Sequence, residues 1–257
     1  MSNILAFNVK TIPNIQLGKK IYNLSDLDDD DISKVMFFKQ RQENKTDVLP
    51  LYLHKVVAIS TIIKTNKEIQ IISLGKNGYD EKNMVQQFFE EVERYQPKLI
   101  SWNGRGFDMP ILYIRAMNYK IQAKHLLHNL SSDLKSNICQ GKYDESHTDL
   151  IDILPTSQST SRVSLHSFAS LLGVPCVKDT EITNIWNTFL TGGDKEIRND
   201  CDMDVVKIYL IFLRLQHFRG YLSGQQLDQS NDQFKDYLTK SSKPHLFKFL
   251  EAWNSKS

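Results

Sequence analysis

The 257-residue sequence predicts an α/β architecture: one mixed central sheet flanked by helices, with a helical C-terminal third. Three observations carry this. Short β-branched runs alternate with segments of helical apolar spacing. Two neighbouring runs, 54–65 and 68–75, are separated only by a polar turn. From about Lys195 onward the apolar spacing is helical. The sequence has neither an internal repeat nor a Gly/Ser linker, so one domain over residues 1–257 is expected. It carries a polar insertion at about 18–53 and a C-terminal helical extension at about 223–257.

Each element follows in order. "ILAFNV" (4–9) reads as a buried strand, with Asn8 and Lys10 as alternate polar residues at its exit. The excursion after it contains "DLDDDDISKVMFFKQRQE", an acidic turn expected to cap a short helix, since carboxylates favour helix N-termini. The Asp run lacks the spaced ligands and Gly of an EF-hand loop. "HKVVAISTIIKT" and "EIQIISLG" predict an antiparallel hairpin. In 81–96, Met84, Val85, Phe88, Phe89 and Val92 fall on one helical face, and Pro97 ends it. "KLISWN" (98–103) is a buried strand, followed by the loop "GRGF" and a helix from about Asp108. "HTDLIDIL" (147–154) is a further strand. "SLHSFASLLG" (164–173) is a helix closed by Gly173, and 195–222 is a long helix with Val205, Ile208, Tyr209, Phe212 and Leu215 on its apolar face.

Composition bounds the function classes. Charged residues make up 24% and the hydrophobic set 40%, as in a soluble globular protein, and the net charge of +2 permits only a local basic groove. Cys139, Cys176 and Cys201 are odd in number and widely spaced, which argues against a disulfide framework or a C-x-x-C metal site. Neither a signal peptide nor a membrane span is read, so a cytoplasmic location without membrane attachment is expected. No P-loop, G-x-S-x-G elbow or strand-linked G-x-G-x-x-G is present.

Acidic residues attract the chemical reading. Asp108 opens a helix with Pro110 in its first turn, the position of an ordinary N-cap. Asp200 and Asp204 are four apart on one helical face bordering the apolar stripe, where a carboxylate needs a partner, a proton or a metal. His147 and Asp149 alternate onto one sheet face and are read as a structural His with a hydrogen-bonded Asp, in preference to a metal pair. Trp102, in a strand, reads equally as core or as a surface for a base.

Taken together, "ILAFNVKTIPN", "LPLYLHKVVAIS", "LISWNGRGFDMPIL", "HTDLIDIL" and "IRNDCDMDVVKIYLIFLRLQHFRGYL" resemble the motifs of the DEDD superfamily of 3′–5′ exonucleases. The resemblance is to the bacterial predicted exonucleases related to the proofreading domain of family B DNA polymerases, and it implies an RNase H-like fold. In active members four carboxylates hold two divalent metals about 4 Å apart, activating a water and stabilising the leaving oxygen. Carried over, those places are Asn8, Lys10, Asp108 and Asp204 here, and the place of a water-positioning Tyr or His is Asp200. The first motif departs: one carboxylate is an amide and the other a cation.

The resemblance therefore implies a nuclease that is inactive or strongly impaired, with Lys10 paired to Asp108 or Asp204 where a metal would lie. No cofactor is expected as the sequence stands, and Mg or Mn, held by Asp108 and Asp204, only if the protein is active. The implied role is weak binding of a single-stranded DNA or RNA 3′ end through Asn103, Arg105 and Phe107, or binding of a protein partner. The alternative is an active metal-dependent exonuclease in which Asp200 or Asp149 repairs the acidic site. On the first reading, Asn8→Asp alone does little, and Asn8→Asp with Lys10→Glu restores metal binding.

Overall fold

Ten residues, Ile4–Pro13, form the strand around which the sheet is built, β1. Leu5, Phe7 and Val9 enter one core with Met84, Phe88 and Leu112, whereas Ala6 enters a second with Met203 and Val206. That alternation is the period of a strand covered on both faces. The computed structural model describes residues 3–75, 80–123, 146–153, 163–177 and 184–255. Around β1 are β2 (His54–Lys64), β3 (Ile69–Ser73), β4 (Lys98–Ser101) and β5 (His147–Asp149), in the sheet order β3-β2-β1-β4-β5. β2 pairs antiparallel with β1 and β3, and β4 and β5 continue parallel to β1, so only β2 runs against the rest.

Strand β1 extends past the expected residue 9 because β2 is eleven residues long and pairs with it down to His54. The register shifts between Lys10 and Thr11, where two residues of β1 span three of β2. Asn8 and Lys10 thus lie within the ladder and not at its exit. β5 is shorter than expected, three residues followed by a 3-10 turn, Leu150–Ile153. The reason is Asp149, whose carboxylate accepts the N–H of Ile151 two residues on and bends the chain out of the ladder. Residue 154 of that expected strand lies outside the described residues, as does Cys139.

The polar insertion holds two helices where one short helix was expected. They are α1 (Ile15–Tyr22) and α2 (Asp29–Asn44), the latter capped by Asp28, which accepts from the Asp31 N–H at 2.8 Å. The two pack closely at Gly18, where a Cβ would come within 2.5 Å of Met36 Sδ. Helix α3 (Glu81–Tyr95) follows the expected face, capped by Asp80 and closed by Gln96 at φ 42°. It covers one face of the sheet with α4 (Met109–Tyr119).

The other face is covered by α7 (Asp194–Phe218), 25 residues that pack on β1 and β2. It is preceded by α5 (Leu165–Leu171) and α6 (Ile185–Leu190), and followed by α8 (Gly224–Thr239) and α9 (Pro244–Asn254). Leu227, Phe234 and Leu238 of α8, with Leu246 and Phe249 of α9, share one buried cluster with α7 and the sheet. Among the described residues, no helix is long and apolar enough to cross a membrane.

Candidate active site

β1 points Asn8 and Lys10 toward α7, on the strand face opposite Phe7 and Val9. Asn8 is 9% exposed, and its amide faces Cys201 Sγ at 3.7 Å while the thiol donates to the Asn8 carbonyl at 3.3 Å. Burial pushes that thiol up to about 12. Lys10 reaches past it. Its ammonium lies 2.5 Å from Asp200 Oδ2 and 2.6 Å from Asp204 Oδ2, bridging two carboxylates one helical turn apart. Burial alone would lower the Lys10 ammonium, but Asp204 and Asp200 outweigh it and hold it above the ordinary lysine range.

Asp204 has a second cation. Lys207, one turn further along α7 and only 5% exposed, places its ammonium 3.0 Å from Asp204 Oδ1. Burial would raise the Asp204 carboxyl, and the two lysines together bring it below the usual range. Two ammoniums therefore neutralise Asp200 and Asp204.

Asp108 arrives from the other side of β1. After β4 the chain makes a π-type turn, Gly104–Asp108, entered through Asn103 at φ 61°. Gly104 is required there because a Cβ would sit 2.3 Å from Ser101 Oγ. Asp149 braces the turn, accepting the N–H groups of Asn103 at 2.7 Å and Arg105 at 2.9 Å. The N-cap reading of Asp108 does not hold: its side chain makes no cap hydrogen bond to α4, and the residue is 4% exposed. It lies within electrostatic reach of Lys10, Asp149 and Asp204, and among the described residues no hydrogen bond or ion pair engages its carboxyl. Burial, then Asp149, push its carboxyl well above the usual carboxylate range against the pull of Lys10.

Lys10 thus pairs with Asp204, one of its two expected partners, and with Asp200, and not with Asp108. His147 and Asp149 are not a metal pair: His147 Nε2 bonds Ser101 Oγ at 2.8 Å, while Asp149 holds the loop. Arg105 donates to the His147 carbonyl and faces Asp152 at 3.7 Å, with a third of its side chain exposed. Phe107 packs edge-on against His54, ring centroids 5.0 Å apart. His54 Nε2 lies 3.2 Å from the Leu49 carbonyl, which makes it the protonated nitrogen and leaves Nδ1 to accept from Thr11 Oγ1 at 2.9 Å. Trp102 is core-like, packed on Phe168 at 5.5 Å.

A two-metal centre does not fit these residues. Among the described residues, no three His, Cys, Asp or Glu side chains come together at metal-ligand spacing. Lys10 Nζ already occupies the position between Asp200 and Asp204. At an effective dielectric of about 20, a divalent ion 4 Å from an ammonium is repelled by about 8 kcal/mol.

The strand order, with β2 alone antiparallel, is that of an RNase H-like fold. Residues 46–253 match the family described as predicted 3′–5′ exonucleases related to the exonuclease domain of PolB, and the chain belongs to that family. The matched residues begin after β1, so Asn8 and Lys10 lie outside them. Among solved structures, the family B DNA polymerase from the hyperthermophilic archaeon Pyrobaculum calidifontis is similar at 15% identity and a TM-score of 0.47. That likeness covers 89% of this chain and 27% of the polymerase chain. Comparison with curated proteins finds no match.

Proposed function

We propose that this member of the exonuclease family does not cleave nucleic acid and serves as a metal-independent binder of single-stranded 3′ ends. One observation carries the reading: the Lys10 ammonium bridges Asp200 and Asp204 at 2.5 and 2.6 Å, where catalysis in this family would need a metal. Of the four family carboxylate places, Asp108 and Asp204 keep an acid, and Asp204 is spent on lysines. The loop beside Asp108 supports the binding half of the proposal. Asp149 holds Asn103 and Arg105 in place, and Phe107 offers a ring beside them for a terminal base. The facing Asp152 offsets part of the Arg105 charge, so the affinity is weak and falls with salt.

Labelled single-stranded oligonucleotides incubated with the unaltered protein and Mg²⁺ or Mn²⁺ are expected to remain intact. The same strands are expected to bind at low salt with chelator present, and less at physiological salt. Digestion abolished by chelator and by Asp108→Ala would establish an active nuclease instead. Intact strands that fail to bind at low salt would leave a protein as the partner.

A further inference from the structure

We infer that the site is locked against divalent cations twice, by Lys10 from the sheet and independently by Lys207 from α7. The inference rests on the reading of a lysine-filled site and deepens it. Each oxygen of Asp204 carries its own ammonium: Oδ2 takes Lys10 at 2.6 Å and Oδ1 takes Lys207 at 3.0 Å. The two cations come from different elements, so removing one leaves the other in place. Lys207 is held in position by its own helix, three residues after Asp204, and its side chain is 5% exposed. Swinging into water would strip Oδ1 of its ammonium on an Asp204 side chain that is only 18% exposed.

Two ammoniums facing Asp200 and Asp204 make a charge-balanced quartet that needs no ion to be stable. Introducing carboxylates on β1 replaces only the Lys10 lock. A metal arriving at Asp204 then still meets Lys207 on the same carboxylate, competing for Oδ1 and repelling the ion at close range. The pair of substitutions that the sequence suggests, Asn8→Asp with Lys10→Glu, is therefore insufficient. Full metal affinity requires Lys207→Gln as well.

The test is Mn²⁺ binding, read from the loss of the free-ion electron paramagnetic resonance signal and from the shift in melting temperature on adding Mn²⁺. Far-UV circular dichroism establishes that each variant is folded. The unaltered protein and Lys207→Gln alone are expected not to bind Mn²⁺ at this site. Asn8→Asp/Lys10→Glu is expected to bind at least about tenfold more weakly than the same variant with Lys207→Gln. Replacing Lys207 by Arg in that background keeps the cation and should reproduce the double variant. Adding Asp204→Asn to the triple variant should abolish binding. Equal affinity of double and triple variants, a triple variant that does not bind, or binding that survives Asp204→Asn would overturn the second lock while leaving the Lys10 reading intact. Tight Mn²⁺ binding by the unaltered protein, lost on Asp204→Asn, would instead overturn the lysine-filled site itself.

Discussion

At the scale of single residues, two acids beside the central strand have different fates. Asp204 is ionised and doubly paired, whereas Asp108 is buried without a hydrogen-bonding partner among the described residues, and burial raises its carboxyl well above the usual range. A carboxyl raised on folding favours the folded state when protonated. That contribution is complete below its unfolded value of about 3.9 and is lost as pH rises through the raised folded value. Asp108→Asn, a neutral side chain of similar shape, should therefore raise the melting temperature at pH 8, and the gain should shrink toward pH 4. Thermal melts of both proteins across that range decide it. A difference independent of pH would mean that Asp108 is held ionised, as a cation beside it would do.

At the scale of elements, helix α7 is anchored through a residue that plays no part in that site. Asp202 is 1% exposed and accepts from Ser60 Oγ at 2.6 Å, Ser73 Oγ at 2.7 Å and Lys243 Nζ at 2.8 Å, with His245 Nε2 at 3.0 Å. It ties α7 to β2, to β3 and to the start of α9. Burial would raise this carboxyl, but His245, Lys243 and Ser60 bring it down to about 2. A lowered carboxylate stabilises above its unfolded value, near pH 4, and loses that contribution as pH falls toward 2. Asp202→Ala should cost about 3–5 kcal/mol at pH 7 in urea melts, with the deficit narrowing toward pH 2. A deficit that is small, or constant from pH 7 to pH 2, would refute the anchor. The sequence could not announce it, because Ser60, Ser73, Lys243 and His245 lie 142, 129, 41 and 43 residues away. The placing of Asp200 and Asp204 on one face is legible because helical spacing is local, and the same spacing places Lys207 one turn after Asp204. The hairpin, α3 and α7 were legible from periodicity. The short β5 was not, because one carboxylate bending its own backbone overrides strand propensity.

At the scale of the whole molecule, the C-terminal helices belong to the same buried body as the sheet. Phe234 of α8 and Phe249 of α9 share a cluster with Ala6 and Ile100 of the central strands, and Lys243 and His245 close on Asp202 of α7 from the start of α9. A helical extension so joined loses both its apolar cover and its ion partners when the sheet opens. We propose that the chain unfolds as one cooperative unit, with the insertion and the C-terminal extension melting together with the sheet. Its three tryptophans report on separate places. Trp102 packs on Phe168 beside the sheet, Trp186 stacks on Phe189 in α6 next to the insertion, and Trp253 contacts Phe249 in α9. Three variants, each keeping one tryptophan with the other two replaced by Phe, should give fluorescence transitions in urea that coincide with the far-UV circular dichroism transition of the same variant. An earlier midpoint at Trp253 would mark the extension as an independently folding unit. An earlier midpoint at Trp186 would detach the helices around the insertion.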